Sequence, residues 1–149
     1  IYDLAKEDLG ITLSISLHAP DNETRNRTMP VNRRWPIEEL MRACRDYFKT
    51  TGRRISFEYA LIKGVNDSPE DARKLADLLD GMVCHVNLIP VNPVKERGYD
   101  RSGAADIHRF AETLGRLGVN ATVRRELGGD IDAACGQLRR QYEKGEALA

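Results

Sequence analysis

A chain of 149 residues has the length of one ordinary domain and can bury a hydrophobic core. Hydrophobic residues make up 41% of it and charged residues 31%, which is typical of a soluble globular protein, and no apolar run approaches the roughly 18 residues of a membrane-spanning helix. The 23 basic residues are balanced by 23 acidic ones, so the excess of positive charge that is usual in a complete nucleic-acid-binding domain is missing.

The first part of the chain predicts a short helix, a strand, a loop and a longer helix. Residues 4–9 have a helical pattern, and residues 11–17 alternate strictly between apolar and polar, as a strand does. The polar residues 21–34 are rich in Asn, Asp and Arg and predict a loop. Residues 37–48 place apolar side chains on one helical face, and this helix is expected to end near Gly52.

The middle of the chain repeats this arrangement. Residues 55–62 predict a strand, and Ser68 predicts the N-cap of a helix that has Pro69 at its first position. Residues 85–91 predict a third strand, and residues 93–102 predict an irregular loop.

The last part of the chain closes the pattern with a helix and a strand. Apolar residues at helical spacing from 107 to 114 predict a helix that stops near Gly118. Residues 121–126 predict a final strand, and the tail at 132–144 has a weaker helical pattern. Strands that alternate with helices in this way predict an α/β fold with parallel strands and right-handed crossovers.

Ligand sites of parallel α/β folds lie at the C-terminal ends of the strands. At these ends the sequence places Ser16 and His18, the carboxylate of Glu58, the amide of Asn92, and Asp130 in a glycine-containing segment. Each residue also has an ordinary structural interpretation: Glu58 could pair with Arg53 or Arg54, and Asn92 could simply form a turn.

The three cysteines differ in their surroundings. Cys44 lies on an apolar helical stripe and is expected in the core, and Cys84 opens a strand with nothing nearby to activate it. Cys135 is flanked by small residues that leave room for a substrate, and a nearby arginine could lower the pKa of its thiol. Their spacing excludes a zinc site and predicts no disulfide framework, which favours a reducing cytoplasm.

Several motifs, in this order along the chain, resemble those of the RlmN/Cfr family of radical SAM (S-adenosylmethionine) RNA methyltransferases. They are Ser16-Leu17-His18-Ala19-Pro20, Met29-Pro30-Val31-Asn32, Phe57-Glu58-Tyr59, Gly64-Val65-Asn66-Asp67, Asn87-Leu88-Ile89-Pro90 with Asn92-Pro93, and Asp130 to Leu138 around Cys135. The resemblance implies the C-terminal half of a partial (β/α)6 TIM-like barrel, with residues 1–149 as a single fragment of that domain.

The resemblance also implies a chemistry. Ser16, Leu17, His18 and Asn92 match positions that bind S-adenosylmethionine, and Cys135 matches the cysteine that is itself methylated. In this family the S-methyl group loses hydrogen to a 5′-deoxyadenosyl radical, and the resulting carbon radical adds to C2 of an adenine in 23S ribosomal RNA. C2 is not nucleophilic, so direct methyl transfer to it would fail. Transfer RNA is a second candidate substrate.

One family feature is missing from this chain, which has no CxxxCxxC motif for a 4Fe–4S cluster. The cluster ligands, the resolving cysteine and the N-terminal RNA-binding domain are therefore expected upstream, in the full-length protein only, and the fragment alone is expected to be inactive. No metal ligand is assigned within the chain, and its oligomeric state is left open.

Three other interpretations remain. A Cfr-type enzyme methylates C8 of the same adenine, and no residue of this chain distinguishes C8 from C2 specificity. A non-catalytic nucleotide-binding module would use Cys135 structurally. A cysteine-nucleophile transferase would use Cys135 with His18 or His108 as base.

Overall fold

A computed structural model of the chain describes residues 1–7, 9–93 and 98–124. It contains a parallel sheet of four strands, in the spatial order β1-β2-β3-β4. The strands are β1 (Leu13–Ser16), β2 (Ile55–Leu61), β3 (Cys84–Pro90) and β4 (Ala121–Val123). The helices are α1 (Tyr2–Lys6), α2 (Asn22–Thr28), α3 (Ile37–Thr51), α4 (Pro69–Leu79) and α5 (Ala104–Arg116), with a 3₁₀ turn at Pro30–Arg33.

The predicted α/β class with parallel strands is confirmed. Consecutive strands are also neighbours in the sheet, which is the order in a (β/α) barrel rather than in a doubly wound sheet. β1 and β4 are shorter than the strands predicted for residues 11–17 and 121–126. Residues 125–126 and the tail at 132–144 lie outside the described residues.

The helices cover one face of the sheet. Along β2 and β3 every second side chain is buried, and the intervening ones stay half-exposed. The buried side chains form one hydrophobic core with α3, α4 and α5. The opposite, half-exposed face carries the polar side chains of the sheet and is called the open face below.

The helix ends follow local rules of the sequence. Ser68 accepts a hydrogen bond from the backbone N–H of Asp71, and the Asp71 carboxylate accepts one from the backbone N–H of Ser68. This capping box confirms the predicted start of α4. Gly52 ends α3 with a φ of 64°, a left-handed conformation that glycine adopts without steric cost.

The prediction of a loop at residues 21–34 was wrong, because this segment folds into α2 and the 3₁₀ turn. The side chain of Asp21 caps α2 by accepting a hydrogen bond from the backbone N–H of Thr24 (2.9 Å). The segment lacks an apolar stripe because polar side chains, chiefly Arg25 and Asn32, fill its buried side.

Candidate functional site

The end of β1 makes a sharp turn at Ser16, Leu17 and His18. The backbone N–H groups of Leu17 and His18 both donate to the carbonyl oxygen of Glu58, at 3.0 and 3.2 Å. The Leu17 side chain is fully buried in the core. His18 has a φ of 57°, a conformation that residues other than glycine rarely adopt. Strain of this kind persists only where the surroundings fix it.

The imidazole of His18 is held in one tautomer. Its Nδ1 lies 3.0 Å from the backbone nitrogen of Ala60. Because a backbone N–H can only donate, Nδ1 must be the acceptor, and the proton of the neutral ring is on Nε2. Burial lowers the pKa of His18, although the nearby Glu58 opposes this effect and Arg25 adds to it. The ring is therefore neutral near pH 7 and has an Nε2–H available to donate.

Arg25 holds the turn from one side. Its guanidinium is buried and donates to the carbonyl oxygens of Leu17 (3.1 Å) and Ser16 (3.3 Å). It also donates to Oδ1 of Asn32 (2.8 Å) and to the carbonyl oxygen of Trp35 (3.5 Å). Burial lowers the pKa of Arg25. Oxygen acceptors on several sides compensate for the removal of this cation from water.

Asn66 holds the turn from the other side. The side chain is fully buried, and its amide nitrogen donates to the carbonyl oxygens of His18 (3.0 Å) and Ala60 (2.7 Å). Its Oδ1 accepts from the backbone N–H of Ile62 (2.8 Å). The Tyr59 hydroxyl donates to the backbone carbonyl of Asn66 at 2.9 Å. Asn66 therefore joins the ends of β1 and β2.

A row of polar side chains crosses the open face beside this turn. Glu58 accepts from the hydroxyl of Ser14 (3.0 Å) at one carboxylate oxygen and from the amide of Asn87 (2.8 Å) at the other. Ser16 lies opposite Glu58 in the register of β1 and β2. The alternative in which Glu58 pairs with Arg53 or Arg54 is thus wrong. The oriented carboxylate keeps lone pairs for a ligand.

Asn92 follows β3 at the same edge of the sheet and is partly buried. Within the described ranges its side chain makes no hydrogen bond to another residue. Farther along this loop, the hydroxyl of Tyr99 donates to the carbonyl oxygen of Arg27 at 3.4 Å. The loop that contains Asn92 is therefore tied to α2, which supplies Arg25.

Two cysteines lie in the core, as the sequence predicts for Cys44. Burial raises the pKa of the Cys44 thiol to about 11 and also raises that of Cys84. Neither thiol is activated at neutral pH. Cys135, the cysteine that the sequence singles out as reactive, lies outside the described residues, as does Asp130.

Sequence reasoning missed Arg25 as a site residue and named Asn66 only as part of a family motif. Both lie in polar segments where exposed side chains are the usual expectation. The positive φ of His18 is also not predicted, because histidine adopts this conformation somewhat more often than most residues but far less often than glycine.

The relatives found by sequence comparison carry the name of one family. No protein-family model matches the chain. A protein of Caldanaerobacter subterraneus subsp. tengcongensis named "Probable dual-specificity RNA methyltransferase RlmN" is 60% identical over 144 residues, which cover 97% of this chain and 42% of that protein. A protein of the same name from Alkaliphilus oremlandii is 59% identical and is matched over 95% of this chain and 41% of its own length.

Two solved structures are also similar. A radical SAM methyltransferase from Sphaerobacter thermophilus superposes with a TM-score of 0.85 at 51% identity, over 91% of this chain and 40% of that one. A domain of pyruvate-formate lyase-activating enzyme from Bacteroides vulgatus has a TM-score of 0.61 at 17% identity, over 76% of this chain and 67% of that one, and shows the shared fold alone. The chain belongs to the RlmN family of radical SAM methyltransferases and spans about two fifths of the length of the curated relatives that it matches.

Proposed function

We propose that this chain is part of an enzyme that methylates C2 of an adenine in 23S ribosomal RNA and in transfer RNA, with S-adenosylmethionine as methyl donor. The names of the relatives, which describe dual-specificity RNA methyltransferases, support the substrate class. The observation that carries the proposal is the fixed turn at Ser16, Leu17 and His18 at the C-terminal edge of the sheet.

The residues at this edge fit the chemistry of S-adenosylmethionine. The cofactor has an amino group, a carboxylate, ribose hydroxyls and an adenine, so it needs both donors and acceptors. The Nε2–H of His18 donates, Glu58 accepts, and the Ser16 hydroxyl and Asn92 amide do both. The partners of Arg25 and Asn66 are already fixed, so the turn needs little reorganisation on binding.

When bound, S-adenosylmethionine supplies the methyl group and, in a second molecule, the source of a carbon radical. We propose that Cys135 carries the methyl group and that His18, Ser16 and Asn92 orient the cofactor. The core thiols take no part, because burial keeps Cys44 and Cys84 protonated and out of reach.

The cysteines of this chain do not fit a 4Fe–4S cluster. Cys44 and Cys84 are buried in the core, and the described residues contain no group of three side chains that could hold a metal. We propose that residues 1–149 form one part of the catalytic domain, that the cluster ligands and an RNA-binding domain lie elsewhere in the full-length protein, and that the chain alone is inactive.

A cytoplasmic location completes the proposal. The two described cysteines are both free thiols, as in a reducing compartment. No helix among the described residues is long and apolar enough to cross a membrane.

The pocket can be tested by isothermal titration of the chain with S-adenosylmethionine. We expect wild type to bind and Asn92→Ala to bind roughly tenfold more weakly, because one polar contact of about 1.4 kcal/mol is removed. Asn120→Ala is the matched control, since this exposed asparagine precedes β4 at the opposite edge of the sheet. Equal affinities for the two variants, or no binding by wild type, would contradict the proposed pocket.

The position of methylation is tested on the complete reading frame that contains this chain. Expression in a strain without its own enzyme, followed by mass spectrometry of digested ribosomal and transfer RNA, should give 2-methyladenosine. The Cys135→Ala variant should give none. A product methylated at C8 would show a Cfr-type enzyme, and product formation by Cys135→Ala would refute the role of this cysteine.

A further inference from the structure

The single tryptophan of the chain lies on the surface. Trp35 is 48% exposed and follows the 3₁₀ turn, where the neighbouring Val31 is 50% exposed. The guanidinium of Arg34 lies 5.4 Å from the centre of the Trp35 ring. A single exposed aromatic ring is ordinary, but this one lies beside an exposed apolar side chain and a cation, a combination that can contact both a flat ring and a negative charge.

Three exposed arginines lie in the same polar segment as this ring, and Arg34 is the one that contacts it. Arg27, Arg33 and Arg34 all point to solvent, and within the part of the chain that the structure describes none of them forms an ion pair. The nearby carboxylate of Glu38 is already occupied by the amide of Asn22, at 2.7 and 2.9 Å. We call Arg27, Val31, Arg33, Arg34 and Trp35 the arginine–tryptophan rim.

The backbone of the rim is held on its inner side by buried and partly buried hydrogen bonds. Asn32 is 2% exposed, and its amide donates to Oδ1 of Asn22 and of Asn26, both at 2.9 Å, while its Oδ1 accepts from Arg25. Oδ1 of Asn22 also accepts from the backbone N–H of Ile37, at 3.0 Å. The backbone that carries these side chains is therefore already ordered, so binding costs only the ordering of the side chains themselves.

The rim lies beside the candidate site. One guanidinium, that of Arg25, donates both to the carbonyl oxygen of Trp35 and to that of Ser16. The hydroxyl of Tyr99 joins the backbone of Arg27 to the loop that contains Asn92. A polymer bound on the rim would therefore pass the edge of the sheet where Ser16 and Asn92 lie.

We propose that the arginine–tryptophan rim binds single-stranded RNA, with one base stacked on Trp35 and phosphates paired with Arg27, Arg33 and Arg34. This inference rests on the proposed function and locates the RNA surface within this chain. Aromatic rings accept any base by stacking, and arginines neutralise phosphates without reading sequence. The exposed ring favours RNA over an acidic protein, since an acidic segment needs only the arginines.

The test uses the fluorescence of Trp35, which needs no label because the chain has no other tryptophan. A single-stranded oligoadenylate of about 10 nucleotides is titrated into the chain, a length within the range of known single-strand sites. We expect saturable quenching as a base stacks on the ring. Fluorescence anisotropy of the labelled oligonucleotide then compares variants, and Trp35→Ala should bind roughly tenfold more weakly.

Charge contributions are tested separately. The double variant Arg33→Ala and Arg34→Ala should bind RNA more weakly than wild type. If each arginine contacts one phosphate, the slope of log K against log salt concentration should become shallower by about 1.4. Arg42→Ala on α3 is the matched control, since Arg42 is exposed and has no ion pair in the described part of the chain. It should bind RNA as wild type does.

Two outcomes would overturn this inference. One is unquenched Trp35 emission with equal RNA affinity for the rim variants and Arg42→Ala. The other is equal quenching by polyglutamate, which would indicate an acidic protein partner. Calorimetry with S-adenosylmethionine on the same variants separates failure of RNA binding from failure of the proposed function. If the chain binds S-adenosylmethionine but no RNA binds at the rim, only the proposal of an RNA-binding rim is refuted.

Discussion

At the scale of single residues, the site depends on groups that hold the backbone rather than on groups that face a ligand. Arg25 and Asn66 together hold the carbonyl oxygens of Ser16, Leu17 and His18. Their removal would take the donor from the buried carbonyl oxygen of Leu17, at about 1–3 kcal/mol, and from the partly buried ones of Ser16 and His18 at a smaller cost. The conformation of His18 is therefore fixed by tertiary contacts on both sides.

The ionisation of His18 should make the stability of the protein depend on pH. Burial lowers its pKa below the ordinary value of 6.5. Between the lowered pKa and 6.5 the unfolded chain binds a proton that the folded chain does not, so stability should fall as the pH drops through this window and stay constant for this group above it. Urea denaturation between about pH 5 and pH 8 measures the effect.

The control for this experiment is His18→Gln, which keeps an acceptor for the N–H of Ala60 but does not titrate. The difference between wild type and this variant should have a slope of no more than about 1.4 kcal/mol per pH unit, since one proton is involved. Parallel curves for the two proteins would show that the ring of His18 is not buried as described.

At the scale of elements, the sequence predicted the ends of α3 and α4 correctly but did not predict the structure of residues 21–34. Ser68, Pro69 and Gly52 act through their own backbone and nearest neighbours, so their patterns predict the ends of α4 and α3 correctly. Residues 21–34 form a helix and a 3₁₀ turn in which Arg25 bonds to Asn32 and to the carbonyl oxygen of Ser16, outside the segment. Local propensity contains no information on such partners.

Two glycine substitutions should have opposite effects on stability. Gly52→Ala should destabilise the protein by about 1 kcal/mol, because φ is 64° there and an added Cβ meets no atom within 4 Å, so the cost is purely that of the backbone. Gly115→Ala lies inside α5, also with open space, and should stabilise by about 0.5–1 kcal/mol. Thermal or urea denaturation measures both, and changes of the same sign would contradict the described conformations.

At the scale of the whole molecule, one core joins the sheet to its helices. The rings of Tyr59 in β2 and Phe110 in α5 lie 5.3 Å apart, and both are fully buried. Because the core cluster is continuous from Ile15 to Leu114, the described part of the chain should unfold as one cooperative unit.

Truncation of a core aromatic residue should show this connection. Phe110→Ala should lower the free energy of unfolding by about 3–5 kcal/mol, since it removes a fully buried ring and leaves a cavity. Phe48→Ala removes the same atoms from a position that is only partly buried against the core and should cost clearly less. Urea denaturation followed by circular dichroism measures both, and equal losses would contradict the burial described for Phe110.

The sequence by itself determined the fold class, the alternation of strands and helices, the ends of α3 and α4 and the family, because hydrophobic periodicity, caps and motifs are local in the chain. It also placed Ser16, His18, Glu58 and Asn92 near one edge, since parallel strands end on the same side. The tertiary structure alone decided the tautomer and strained φ of His18, the burial of Arg25 and Asn32, and the partners of Glu58. Those features depend on hydrogen bonds between groups in different strands, helices and turns, which form only when the fold brings their donors and acceptors together.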